Sequence, residues 1–142
     1  MTEIKFTITG PPVPKARHKC TGRGGKMVAY TPAKTRKYEK HVGWAAFQAM
    51  SGYTLFTGAV FVKLLICLKR PKSLAKRVEF PIKRPDIDNY TKSLLDGMTG
   101  KVYVDDSQVV GCFQYKVFSL PERVEVYVTD SFPSPQSKLE EW

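Results

Sequence analysis

Residues 84–97, RPDIDNYTKSLLDG, set Asp86 and Asp88 two positions apart and place Lys92 four residues further on. On an extended chain, side chains two apart share a face with their Cα atoms about 6.6 Å apart, and Pro85 biases Arg84 toward that geometry. The two carboxylates can then point together. A helix opening with Asp88 as N-cap carries Lys92 one turn along the same face. A second acidic pair, Asp105 and Asp106, ends a short strand after that helix and can fold back on the first, so that four carboxylates meet. Like charges held together need a counter-ion, and hard oxygen donors suit Mg²⁺ or Mn²⁺ better than zinc. Inside a basic surface such a site reads as phosphodiester hydrolysis, with a metal activating water and Lys92 facing a phosphate oxygen. The same residues also suit plainer roles: Asp88 as a cap, Asp105 and Asp106 as a turn, Lys92 as the ion-pair partner of Asp96. Spacing alone leaves both open.

The elements that must position these residues follow from periodicity. Residues 3–9 predict a strand with Ile4, Phe6 and Ile8 on one face, ended by Gly10 and a Pro-rich turn. KARHKCTGRGGKMVAY predicts a basic loop or hairpin with a Gly-rich tip, closed by a short strand from Met27 to Tyr30. Thr31 as N-cap and Pro32 at the first helical position open a helix running to about Met50. Val42, Ala45, Ala46 and Ala49 keep helical spacing there, while Lys34, Arg36, Lys37 and Lys40 crowd an exposed first half. After Gly58, AVFVKLLICLKR predicts a central strand buried on most of both faces. A basic loop leads to a second helix from about Asn89, with Tyr90, Thr91, Leu94, Leu95 and Met98 on one side. Asn89, Lys92, Ser93 and Asp96 take the other side. VYVDDSQVVGCFQYKVF and RVEVYVTD predict a strand pair joined by a turn at SLPE. Residues 1–130 then form one domain, and the Pro- and Ser-rich residues 131–142 a flexible tail.

Composition narrows the partners. With 42% apolar and 25% charged residues in 142, the chain is neither disordered nor fibrous, and its length holds one core. The net charge of +10 is uneven: residues 1–85 carry 18 Lys or Arg against three carboxylates, and residues 86–142 carry five against ten. A basic surface of this strength points to a polyanion, nucleic acid before membrane, because each neutralised phosphate releases counterions. Cys20, Cys67 and Cys112 are odd in number and lack a C-x-x-C, which argues for reduced thiols in a cytosolic protein rather than disulfides or a zinc site. MTEIKFTITG alternates instead of showing a signal-peptide pattern, and AVFVKLLICL is too short to span a bilayer, so no membrane role is expected.

Other motifs fail on their own chemistry. DIDNYTKSLLDG begins like a calcium loop but has Thr91 where glycine is required and Gly97 where glutamate is required. GRGGKM lacks the spacing and hydroxyl of a phosphate-binding loop. His18 reads as part of the basic loop and His41 as an ordinary helix residue.

Four segments in order, GPPVPKARHK, YTPAKTRKYE, KRPDIDNYTKSLLDGMTG and VYVDDSQV, resemble the RusA family of Holliday junction resolvases from Phe6 to about Val128. The resemblance implies a small α/β (α+β) domain, a mixed β-sheet packed against two main helices. It also implies a Mg²⁺-dependent endodeoxyribonuclease of phage or prophage type, acting as a homodimer on four-way DNA junctions in a bacterial or infected-host cytoplasm. By motif position, the family's metal-binding or catalytic aspartates fall on Asp86, Asp88 and Asp106, and its catalytic lysine on Lys92. Asp105 is adjacent and can share the metal. Lys15 and Arg17 match basic positions expected to touch DNA, with Arg23, Lys26 and Arg84 as further candidates. Junction selectivity comes from the resemblance alone. The contrasting class is a non-catalytic branched-DNA-binding or architectural protein whose aspartates are caps and turns.

Overall fold

A computed structural model describes residues 2–16, 19–23 and 26–131, and for 19–23 and 26–30 the backbone alone. The chain forms β1 (Glu3–Thr9), β2 (Lys19–Arg23), β3 (Lys26–Tyr30), α1 (Ala33–Ala49), β4 (Val60–Leu68), α2 (Ile87–Met98), β5 (Val109–Phe118) and β6 (Arg123–Thr129). A single 3₁₀ turn, Asp106–Gln108, precedes β5. The main sheet has the order β1-β6-β4-β5, and β2 and β3 form a separate antiparallel hairpin, as the Gly-rich tip predicts. This is the expected α+β arrangement, one mixed sheet with two helices.

Alternation builds the core. Ile4 and Ile8 of β1, Val62, Leu64 and Ile66 of β4, and Val124, Val126 and Val128 of β6 are buried toward the helices, which contribute Tyr38, Val42, Ala46, Leu94 and Met98. β4 is central, but its alternate residues are only half-buried, so one face is closed and the other partly covered. The helices cross where both lack side chains. A Cβ on Gly97 would lie 2.7 Å from Val42 Cβ, closer than any real contact, so alanine there forces the helices apart. That close crossing brings the polar edges of α1 and α2 to one place.

Four expectations are corrected. β5 and β6 are not neighbours: β6 lies antiparallel between β1 and β4, while β5 runs parallel to β4 at the edge, reached through the α2 crossover. Alternation reports which face is buried and carries no information on which strand is adjacent. The short strand ending in Asp105 and Asp106 is instead a run of turns, with isolated bridges at Tyr103. Both helices begin elsewhere than predicted, α1 with Pro32 as N-cap and α2 with Asp86, neither making a side-chain cap bond. Ser93, assigned to the exposed side of α2, is fully buried, because the Pro-rich segment after β1 crosses that side and the hydroxyl donates to Val13 O at 2.7 Å. No described helix is long and apolar enough to cross a membrane.

Candidate active site

Asp86 stands where the basic loop after β4 turns into α2. Two cationic side chains hold that loop by their own carbonyl contacts. Arg70 donates to Ala75 O and Val78 O, each at 2.6 Å, and lies over the Phe118 ring. Lys116, on β5, donates to Lys83 O at 3.2 Å and Pro85 O at 2.9 Å, fixing the residue immediately before Asp86. Asp86 is extended, Asp88 lies in the first helical turn, and both are exposed. They therefore do not share one strand face, since the chain turns helical between them.

Asp106 is delivered by a different device. Gly100, at φ +78°, turns the chain out of α2, and Tyr103, fully buried, donates its hydroxyl to Leu95 O at 2.7 Å. Gln108 then pins the turn from both ends. Its amide donates to Phe56 O and Gly58 O, and its carbonyl accepts from Val104 N and Asp105 N, so all its bonding capacity is used. Asp105 completes a capping box by accepting from Ser107 N, and that bond holds its carboxyl below the usual range. Just beyond, the Phe61 ring covers Gly111 so closely that a Cβ would fall 2.1 Å from it, which seats the start of β5 on β4.

The second of these devices delivers Asp106 to a chain of alternating charge. Lys92 Nζ lies 3.1 Å from Asp96 Oδ1 and 3.2 Å from Asp106 Oδ2, joining α2 to the turn fourteen residues away. The other oxygen of Asp96 is 3.1 Å from Lys15 Nζ, which also meets Glu39 Oε1 at 2.5 Å. Lys15 is held in place by its own amide, which donates to Asn89 O at 2.8 Å. Hydrogen bonds to Asp96 and Asp106 raise the Lys92 ammonium above the ordinary lysine value. Burial works against the charge on Lys15, but bonds to Glu39 and Asp96 outweigh it and its value also rises. Both are cations at neutral pH.

Asp86, Asp88 and Asp106 offer only carboxylate oxygens, a donor chemistry that fits a hard divalent cation. As they stand, no three His, Cys, Asp or Glu side chains among the described residues are grouped to hold an ion. The four expected carboxylates do not form such a group: of them only Asp106 joins the lysine-bridged chain, whose other carboxylates are Asp96 and Glu39. Of the proposed DNA contacts, Arg84 is exposed beside Asp86, whereas the Lys15 side chain is 15% exposed and committed to two carboxylates. Arg17 lies outside the described residues. Arg23 and Lys26 pair across the β2–β3 ladder, and their side chains lie outside what is described. His18 also lies outside the described residues, and His41 Nε2 is 2.8 Å from Thr9 O.

Sequence reasoning missed Glu39, Lys116 and Gln108. The D-x-x-Q spacing of Asp105 and Gln108 is a capping-box signal that marks the last of these, whereas nothing local marks Glu39 or Lys116. Lys15→Met should leave Glu39 without its cation and Asp96 with Lys92 alone, and cost about 1–3 kcal/mol. A denaturant titration measures the loss, and the salt dependence of DNA binding should keep the parent slope. A slope shallower by about 0.9 with unchanged stability would make Lys15 a phosphate contact instead.

A family model described as endodeoxyribonuclease RusA matches residues 9–129. The chain is also similar to the uncharacterized protein YqaN of Bacillus subtilis (strain 168), 34% identical over 137 residues that cover 89% of this chain and 96% of that protein.

Proposed function

Because the chain belongs to the RusA endodeoxyribonuclease family and is on that ground a nuclease, we propose that it is a Mg²⁺-dependent resolvase of four-way DNA junctions. Recombination, repair or phage DNA processing is the setting. The observation that carries the reading is Lys92, whose ammonium joins Asp96 on α2 to Asp106 on a remote turn. The plainer roles account for the pair with Asp96 but not for the pair that Lys92 makes with the remote Asp106. It also favours catalysis over the architectural alternative.

Asp86, Asp88 and Asp106 would hold the cation, which activates water and stabilises charge on the phosphate when bound; Mn²⁺ has the same donor preference. Lys92, already oriented by two carboxylates, faces a non-bridging phosphate oxygen and stabilises the charge that grows as the phosphodiester bond breaks. Lys15 and Asp96 hold it there. Lys116 keeps the backbone before Asp86 in place, and Arg84 grips a neighbouring phosphate. Symmetric resolution needs two such sites about a two-fold axis, so the enzyme acts as a homodimer. Purified protein incubated with an end-labelled four-way junction should nick opposing strands with Mg²⁺ and none with EDTA. Binding without cleavage under every divalent ion would leave the architectural reading.

A further inference from the structure

A second surface adjoins the network. Arg36, Lys40, Trp44 and Phe47 follow one another at spacings of four, four and three, forming a single exposed stripe along α1. Trp44 and Phe47 are 61% and 57% exposed, yet their rings are ordered against each other, stacked at 5.9 Å with 20° between planes. Lys101, from the turn after α2, reaches across and sets its ammonium 6.0 Å over the Phe47 ring. Between the stripe and Lys101 lies a groove of about 460 Å³, whose wall includes Glu39 and Asp96. Asp96 is therefore both groove wall and partner of Lys92.

From this arrangement we propose that the α1–α2 groove takes an unstacked DNA base at the branch point, laid on Trp44 and Phe47, with the flanking phosphates on Arg36, Lys40 and Lys101. The inference rests on the reading of the chain as a branched-DNA nuclease and adds to it the surface that recognises the branch. Aromatic faces accept any base, and cations around them hold the backbone, which is the chemistry of single-stranded nucleic-acid platforms. Repulsion by the acidic wall is reduced, because Lys15 pairs with both Glu39 and Asp96 and Lys92 with Asp96, and it is opposed by the cations Arg36, Lys40 and Lys101 on the same groove. A second copy of the chain fits this surface poorly. A two-fold contact would set the same patch against itself and bring Arg36, Lys40 and Lys101 of both copies together.

The chain has two tryptophans, so Trp142→Phe leaves Trp44 as the only reporter. In a cleavage-deficient Asp88→Asn background, a four-way junction should quench Trp44 emission and a linear duplex of equal length should not. Trp44→Ala and Phe47→Ala should each weaken junction binding on the order of tenfold, with duplex binding unchanged and Trp44→Tyr retaining most of the affinity. Equal quenching by junction and duplex, or junction affinity unaltered by both alanines, overturns the proposal. So does a fall in molecular mass of Trp44→Ala by light scattering, which would assign the stripe to a second copy. A parent protein that neither binds nor cuts a junction removes the proposed function itself. A parent that does both while the alanine variants behave like it removes only this surface.

Discussion

Asp86→Asn, Asp88→Asn and Asp106→Asn are each expected to leave a folded protein that binds a four-way junction, while nicking falls by several orders of magnitude. The amide keeps the shape of the side chain and removes the charge that would hold a divalent cation. The folded state loses little, because Asp86 and Asp88 are exposed and the Asp86 side chain makes no cap bond to α2. Melting temperatures should stay within a few degrees of the parent, as for surface substitutions in general. Asp106→Asn differs in one respect: it removes a partner of Lys92, a half-exposed pair worth about 0–1 kcal/mol. Junction affinity measured without divalent ion, followed by single-turnover nicking with Mg²⁺, separates binding from chemistry. Near-normal nicking by all three variants would remove the aspartates from the reaction.

Lys92→Ala is expected to lower the single-turnover rate by about 10²–10³ while junction affinity and Mg²⁺ dependence persist, since a positioned cation stabilises charge that appears only in the transition state. Its ion pairs with Asp96, i, i+4 on α2, and with Asp106 are both part-exposed, so stability should change by about 1 kcal/mol or less. The two outcomes are far apart. A helix-surface role predicts the small stability change with full activity. Because bonds to Asp96 and Asp106 raise the Lys92 pKa, its contribution should persist through neutral pH and fade only as pH rises past the elevated lysine value. A rate that climbs through neutrality in the parent and is flat in Lys92→Ala would instead make the lysine a base.

What the sequence determined by itself is local. Alternation in residues 3–9, the apolar run that marks β4 as a central strand and the 3.6-residue period of both helices were legible because each depends on which face of one element meets the core. The charge asymmetry and the R-P-D-I-D-N…K and D-D-S-Q spacing were legible for a similar reason, being properties of the chain before it folds. Tertiary structure decided everything that couples distant residues. It placed β6 between β1 and β4, buried Ser93 beneath the segment after β1, and paired Lys15 with Glu39 and Asp96. It also brought Asp106 to Lys92 through Gly100, Tyr103 and Gln108, and set Lys101 over the Phe47 ring. Periodicity is blind to these contacts because a residue's spacing records its own exposure. Its partner is chosen by strand order and by the few side chains, such as Gln108 and Lys116, that tie a loop to a remote carbonyl.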